Sequence, residues 1–302
     1  MVPYIDAFAP AFGLILLGHL LKRGPFPEPV MWSGIERLVF FVLLPALLAV
    51  SIGQADLGAM PLLRLLAAIV AGIAVGFALC LALRRPLGLD FPAFTSLVQA
   101  GIRFNNFLGF ALAAPLFGQM GLAVGAVLTG LIVPMVNTVL VAMFAAGGSA
   151  RPTPFGVARA LATNPLVLGC VVGFALNIAG GVPPGAAPLL RALGGASVAL
   201  GLMAVGAALT LGSLRARLDV QAAAWAIKLV AVPACVFGVA RLLGIDPAVA
   251  VLAVLFMGLP TASTSYVMAR QMGGDAPLMA AITTSQHLVA IVTLPILVAL
   301  LR

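Results

Sequence analysis

The stretch FMGLPTASTSYVMAR, Phe256 to Arg270, sets a glycine, a proline, two threonines, two serines and a tyrosine inside an otherwise apolar run. Proline removes one helical N–H, and its ring clashes with the carbonyl four residues earlier, so a helix here is broken near Pro260. In hydrocarbon, an open backbone survives only where it is buried in protein or lines a watery cavity. If this run crosses a membrane, its break needs a reason.

That it does cross a membrane follows from the rest of the chain. Of 302 residues, 63% are hydrophobic and 8% charged, with a mean hydropathy of +1.21. A soluble domain carries about 25% charged residues, which is what covering a surface with water requires. Apolar runs of about 20 residues recur from end to end, each able to span the hydrocarbon as a helix. The first follows MVPYIDAF, which has no basic n-region and no small-residue cleavage site, and is read as a retained helix. Cys80, Cys170 and Cys235 lie in separate apolar runs without metal-ligand spacing, which fits small buried hydrophobes. The net charge of +8 raises nucleic acid as a partner. The basic residues fall mostly at the ends of apolar runs, where membrane topology puts them, so the partner is a lipid bilayer and not nucleic acid.

Polar and Gly/Pro interruptions mark ten segments, 5–21, 33–53, 62–83, 92–115, 119–145, 159–180, 188–211, 220–243, 247–270 and 277–301. AGGSARPTPFGVAR, Ala146 to Arg159, divides them into two sets of five, residues 1–148 and 149–302. The expected fold class is an all-α polytopic membrane protein of ten transmembrane helices. Loops after odd-numbered spans hold ten of the sixteen Lys and Arg residues, and the opposite side holds Arg64, Arg191, Arg241 and Arg302. That bias puts the odd loops in the cytoplasm and both termini in the periplasm of a bacterial inner (plasma) membrane. Five spans per half turn the second half upside down. RPLGLDFPAF (Arg85 to Phe94) matches RLLGIDPAVA (Arg241 to Ala250), with Asp90 and Asp246 separated by 156 residues. APAFGLILLGHLL (Ala9 to Leu21) matches NPLVLGCVVGFAL (Asn164 to Leu176), with Pro10 and Pro165 separated by 155. Two matches at nearly one offset predict an inverted repeat.

One repeat before Pro260 lies Asn105, in QAGIRFNNFLGFALAAP (Gln99 to Pro115), so span 4 carries a polar break where span 9 carries GLPTASTS. Paired breaks in corresponding spans point to a transporter site near the midplane. Half-helix N-termini there offer unpaired N–H groups and positive dipole ends, which suit an anion.

RFNNFLG, NPLVLG and GLPTASTSYVMARQMGGD resemble the auxin efflux carrier family, which includes plant PIN-type carriers and bacterial malonate-type carriers. The resemblance covers essentially the whole chain. It implies two inverted five-helix repeats with helices 4 and 9 broken and crossing at the substrate site. It also implies a scaffold of helices 1, 2, 6 and 7 that often forms a homodimer, and a transport bundle of helices 3–5 and 8–10. Carried over, the crossing falls at Asn105 and Asn106 and at Pro260 and Thr261. Unlike the plant members, this chain has no long central loop.

The candidate substrate-binding residues are Arg103, Asn105, Asn106, Pro260, Thr261, Ser263, Thr264 and His287. An arginine at a helix centre costs roughly 2.5–3.5 kcal/mol to insert, so Arg103 faces a cavity or a partner. It either recognises an anion or ties up carbonyls of the broken span. The hydroxyls of Thr261, Ser263, Thr264 and Ser265 either face a ligand or bond their own backbone and neighbouring helices. His287, beside Gln286 in span 10, bonds substrate, accepts protons or is satisfied between helices. Lys228 in span 8 has a stem long enough to snorkel. His19 reads as interfacial, and Asn137 and Asn164 as packing and capping residues.

An intramembrane aspartyl protease needs two carboxylates on facing helices, and all eight acids here lie near span ends. No metalloprotease or serine-hydrolase motif is present, so an enzyme is not expected, nor is a cofactor or a metal site. The function expected is secondary transport of a small organic anion, a carboxylate, by alternating access. A sodium-coupled organic-anion symporter of the bile-acid type is the alternative, although it would want carboxylates at midplane sodium sites. An anion channel stands behind both.

Overall fold

The computed structural model describes residues 2–24, 28–58, 60–147, 159 and 162–301. Among them the regular structure is helical and no strand occurs. Arg151, one of the ten basic residues in loops after odd-numbered spans, and Arg302 lie outside the described residues. The elements run α1 (Val2–Arg23), α2 (Pro29–Leu38), α3 (Leu44–Gly53), α4 (Leu62–Arg84), α5 (Phe91–Ile102) and α6 (Asn106–Ala146). They continue with α7 (Pro165–Ile178), α8 (Ala186–Ala208), α9 (Leu218–Trp225), α10 (Val232–Leu242), α11 (Pro247–Gly258), α12 (Thr264–Met272) and α13 (Ala276–Leu301). Widened π-helical turns at Val39–Leu43 and Ala226–Ala231 join α2 to α3 and α9 to α10. Each ends two residues before a proline, Pro45 or Pro233, where the missing N–H and the ring clash disturb the ordinary ladder.

Among the described residues, seven helical stretches are long and apolar enough to cross a membrane by length and composition, and α7 and α11 are shorter apolar helices. One of the seven, Phe91–Ala145, has 55 residues, more than one crossing needs. Its path is interrupted twice, at the end of α5 and at Gly118, whose φ of 60° and ψ of −142° suit a residue without Cβ. Gly118 falls between the ends expected for spans 4 and 5. Span 6 was expected from residue 159, but α7 starts at Pro165. Asn164 caps it, its Oδ1 accepting from Leu166 N at 2.9 Å, and the proline fits the first turn, where no helical N–H is needed.

The chain divides into two compact units. One comprises Met1–Met60, Phe107–Pro134 and Ala158–Ala208, and the other Pro61–Asn106, Met135–Val157 and Leu209–Arg302. In the first, α1 lies so close to α8 that a Cβ on Gly18 would strike the Met203 backbone, and one on Gly206 the Ile15 carbonyl. Small residues at such crossings let backbones approach, which matters where lipid supplies no hydrophobic drive between helices. Asn177 ends α7 by donating to the Ile52 and Ala55 carbonyls at 3.1 and 2.7 Å, serving the C-terminus of α3.

In the second unit, α4 packs on α5 and α10 through glycines. A Cβ on Gly101 would stand 2.8 Å from Cys80 Sγ, and one on Gly76 would stand 3.2 Å from the Gly101 carbonyl. Two of its helices, α5 and α11, match at the spacing of 156 residues read from Asp90 and Asp246. Each has 12 residues and begins at an aspartate whose carboxylate caps the first turn. Asp90 accepts from Ala93 N at 2.9 Å, and Asp246 from Ala248 N at 2.9 Å. Each then ends on a residue in extended conformation, Arg103 (φ −76°, ψ 162°) and Leu259 (φ −66°, ψ 149°).

Candidate functional site

Both expected breaks are present, with one correction. The residues that leave the helix in span 4 are Arg103, Phe104 and Asn105, whereas Asn106 already opens α6. No proline is involved in that break. In span 9, residues 259–263 separate α11 from α12, with Pro260 among them.

The freed backbone groups can be followed one by one. In an unbroken helix, Thr261 N would bond the Met257 carbonyl, and Pro260 has no N–H to give Phe256. Instead Thr261 N donates to Gln286 Oε1 at 2.9 Å, and the Met257 carbonyl accepts from Lys228 Nζ at 2.8 Å. At the end of α5, Arg103 N keeps its helical bond to the Gln99 carbonyl at 3.0 Å, and the Ala100 carbonyl accepts from Gln286 Nε2 at 3.2 Å. Gln286 Nε2 also donates to the Ala224 carbonyl at 3.1 Å. One amide on α13 thus serves both broken segments. Thr261 Oγ1 adds a bond to the Gln99 carbonyl at 3.3 Å, and Phe104 packs against Phe256 with ring centroids 6.1 Å apart.

Arg103 reaches from the first break to the second. Its guanidinium donates to Thr264 Oγ1 at 2.8 Å and to Met268 Sδ at 3.1 Å. Both partners are neutral. Among the described residues the ion pair present is Arg217–Asp219, and no acidic side chain comes within ion-pair distance of Arg103. His287 lies on α13 and is 2% exposed. A carbonyl can only accept, so Nδ1, 2.7 Å from the Thr283 carbonyl, carries the hydrogen, and Nε2 receives the Asn105 amide at 3.0 Å.

Exposure sorts the candidate residues. Pro260, Thr261, Asn105 and His287 are buried, whereas Arg103, Asn106, Ser263 and Thr264 are half-buried and reachable. The structure joins Arg103 to Thr264, and Asn105 to His287. Thr261 shares a 3.1 Å hydroxyl bond with Ser265. His287 has a partner at each ring nitrogen, so in this conformation it orients Asn105 and offers no free nitrogen to a ligand.

A family model described as membrane transport protein matches residues 3–298. The chain belongs to the auxin efflux carrier family. It is also similar to an uncharacterized transporter of Methanothermobacter thermautotrophicus, 28% identical over 290 residues that cover 94% of this chain and 93% of that relative. These relationships point to membrane transport rather than enzymatic chemistry as the class of activity.

Two residues that hold the carrier's breaks were misjudged or passed over in the sequence. Lys228 does not snorkel. It is 0% exposed, because a carbonyl stripped of its helical donor offers the ammonium a partner that no linear reading reveals. Gln286 stood out only as the neighbour of His287, yet a buried amide in an apolar span is costly unless its donors and acceptor are used. Gln99, also 0% exposed, has no hydrogen-bond partner for either side-chain amide atom among the described residues.

The carrier's first unit contains a cavity of about 430 Å³, lined mainly by apolar side chains such as Leu14, Leu47, Phe110 and Leu202. None of the eight candidate residues lines it. Among the described residues, no group of three or more His, Cys, Asp or Glu side chains is placed to hold a metal ion.

Proposed function

We propose that this carrier moves a small organic anion, a carboxylate, across the bacterial inner membrane by alternating access around the two broken spans. The observation that carries the reading is Arg103, a guanidinium in a break whose partners are a threonine hydroxyl and a thioether. Taking a cation even partly out of water without a counter-charge is costly, and a carboxylate supplies both the charge and the bidentate geometry that guanidinium favours. Support comes from α6 and α12, which start directly after the breaks and turn positive dipole ends toward them. Asn106, Ser263 and Thr264 are the polar groups within reach of such a ligand, while Asn105, Thr261, Pro260 and His287 hold the backbone open.

In this reading the ten spans form two inverted five-helix repeats whose helices 4 and 9 cross at the site. The matched Asp-capped half-helices α5 and α11 favour it. Helices 1, 2, 6 and 7 serve as scaffold and homodimer contact, and both termini face the periplasm. The substrate class includes dicarboxylates such as malonate and monocarboxylates with an aromatic group such as indole acetate.

The test is uptake into proteoliposomes of labelled malonate and indole acetate, beside the corresponding neutral amides. Uptake of a carboxylate but not its amide, abolished by Arg103→Ala, supports the proposal. Equal movement of acid and amide contradicts it.

A further inference from the structure

Lys228 is a second cation at the breaks and, unlike the half-buried Arg103, is fully buried. It sits in the widened turn Ala226–Ala231, is 0% exposed, and places Nζ 2.8 Å from the Met257 carbonyl. No acidic side chain among the described residues lies within ion-pair distance of it. Its neighbours in the turn, Ile227 and Leu229, are buried and apolar. On α4, Gly72 presses close enough that a Cβ there would stand 3.1 Å from Met257 Cε and closer still to Val236. The ammonium has therefore been taken out of water for one carbonyl.

That carbonyl is no ordinary acceptor. It belongs to the last turn of α11, where the helix dipole is negative and the acceptors have lost their donors. Its own helical donor, Thr261 N, is diverted to Gln286. Carbonyls at the C-terminal ends of broken half-helices are where secondary transporters coordinate a coupling cation. We infer that the Lys228 ammonium is a tethered cation that occupies this position permanently, so that the carrier holds its broken span together without sodium. The inference rests on the reading of the breaks as a transport site for its functional meaning only, because the cation test needs no substrate.

Three purified proteins in detergent decide it: wild type, Lys228→Met and Lys228→Ser, each melted in sodium chloride and in choline chloride at equal ionic strength. Wild type is expected to melt at the same temperature in both salts. Lys228→Met, which keeps the bulk and removes the charge, is expected to melt several degrees lower in both. Lys228→Ser, which removes the charge and opens space beside the Met257 carbonyl, is expected to fall in choline and to recover part of the loss in sodium. Stabilisation of wild type by sodium over choline overturns the inference, and that arm stands whether or not the variants fold. So does a Lys228→Met protein as stable as wild type, or a Lys228→Ser protein equally unstable in both salts. If carboxylate uptake fails while these outcomes hold, the transport reading falls and the tethered cation remains.

Discussion

Arg103 stands one residue beyond α5, half-buried, with its guanidinium bonded to Thr264 and Met268. If it binds the carboxylate, Arg103→Ala removes a charge-assisted hydrogen bond worth about 1.5–3 kcal/mol, or roughly 10- to 150-fold in affinity. The same substitution deletes only two neutral contacts from the empty protein, so its melting temperature should change little. Calorimetric titration beside a melting curve separates the two effects. Arg103→Lys should recover only part of the affinity, because an ammonium cannot reproduce a planar fork. Arg103 was legible in the sequence because an arginine within an apolar run has few tolerable explanations. Lys228 was not, since its long stem allows snorkelling as readily as burial, and its partner lies 29 residues away on another helix. For His287, the residue type and position were readable, but the bonds to Thr283 and Asn105 that occupy its ring were not.

At the scale of elements, the two breaks differ in what keeps them open. Span 9 has Pro260, which enforces the interruption from within. Span 4 has no proline at its break, and its backbone there is held by Gln286, Asn105 and the packing of Phe104 on Phe256. Pro260→Ala restores an N–H, so a helix continued through residue 260 no longer meets the penalty of about 3 kcal/mol that proline carries in a helix interior. The expected protein is well expressed, at least as heat-stable as wild type, and severely impaired in uptake. Gln286→Leu should do the opposite to stability. It leaves Thr261 N and the Ala100 and Ala224 carbonyls unpaired, each orphan costing about 1–3 kcal/mol, so a clear drop in melting temperature is expected. If both variants melt and transport alike, the breaks do not depend on these two devices. The proline break was plain in the sequence because proline acts on its own backbone. The span 4 break appeared only through its spacing from Pro260 and was set about two residues late, because its cause is tertiary. The aspartate caps of α5 and α11 were visible as matched residues, and their capping role emerged with the helix starts.

At the scale of the whole molecule, hydropathy alone reached a multi-pass helical membrane protein, since continuous apolar runs of about 20 residues suit spanning helices and not the shorter, alternating strands of a barrel. Orientation rests on the distribution of Lys and Arg. It predicts that, on a cysteine-free background, an impermeant thiol reagent added outside labels a cysteine at position 302 and spares one at position 151. The reverse pattern would contradict the orientation, and labelling of both positions from outside would contradict the inverted repeat. Element ends were harder to read than element existence, as α7 shows. Its 14 residues give a helix of about 21 Å, and its start is decided by the Asn164 cap and Pro165, not by where hydropathy rises. The central claim, that a cation in paired breaks awaits an anion, is tested most directly by melting wild type and Arg103→Ala with a panel of small mono- and dicarboxylates and their neutral amides. The account predicts that at least one carboxylate raises the melting temperature of wild type, that its amide does not, and that Arg103→Ala loses the shift while keeping its ligand-free stability. An equal shift by acid and amide, or an undiminished shift in Arg103→Ala, would contradict it.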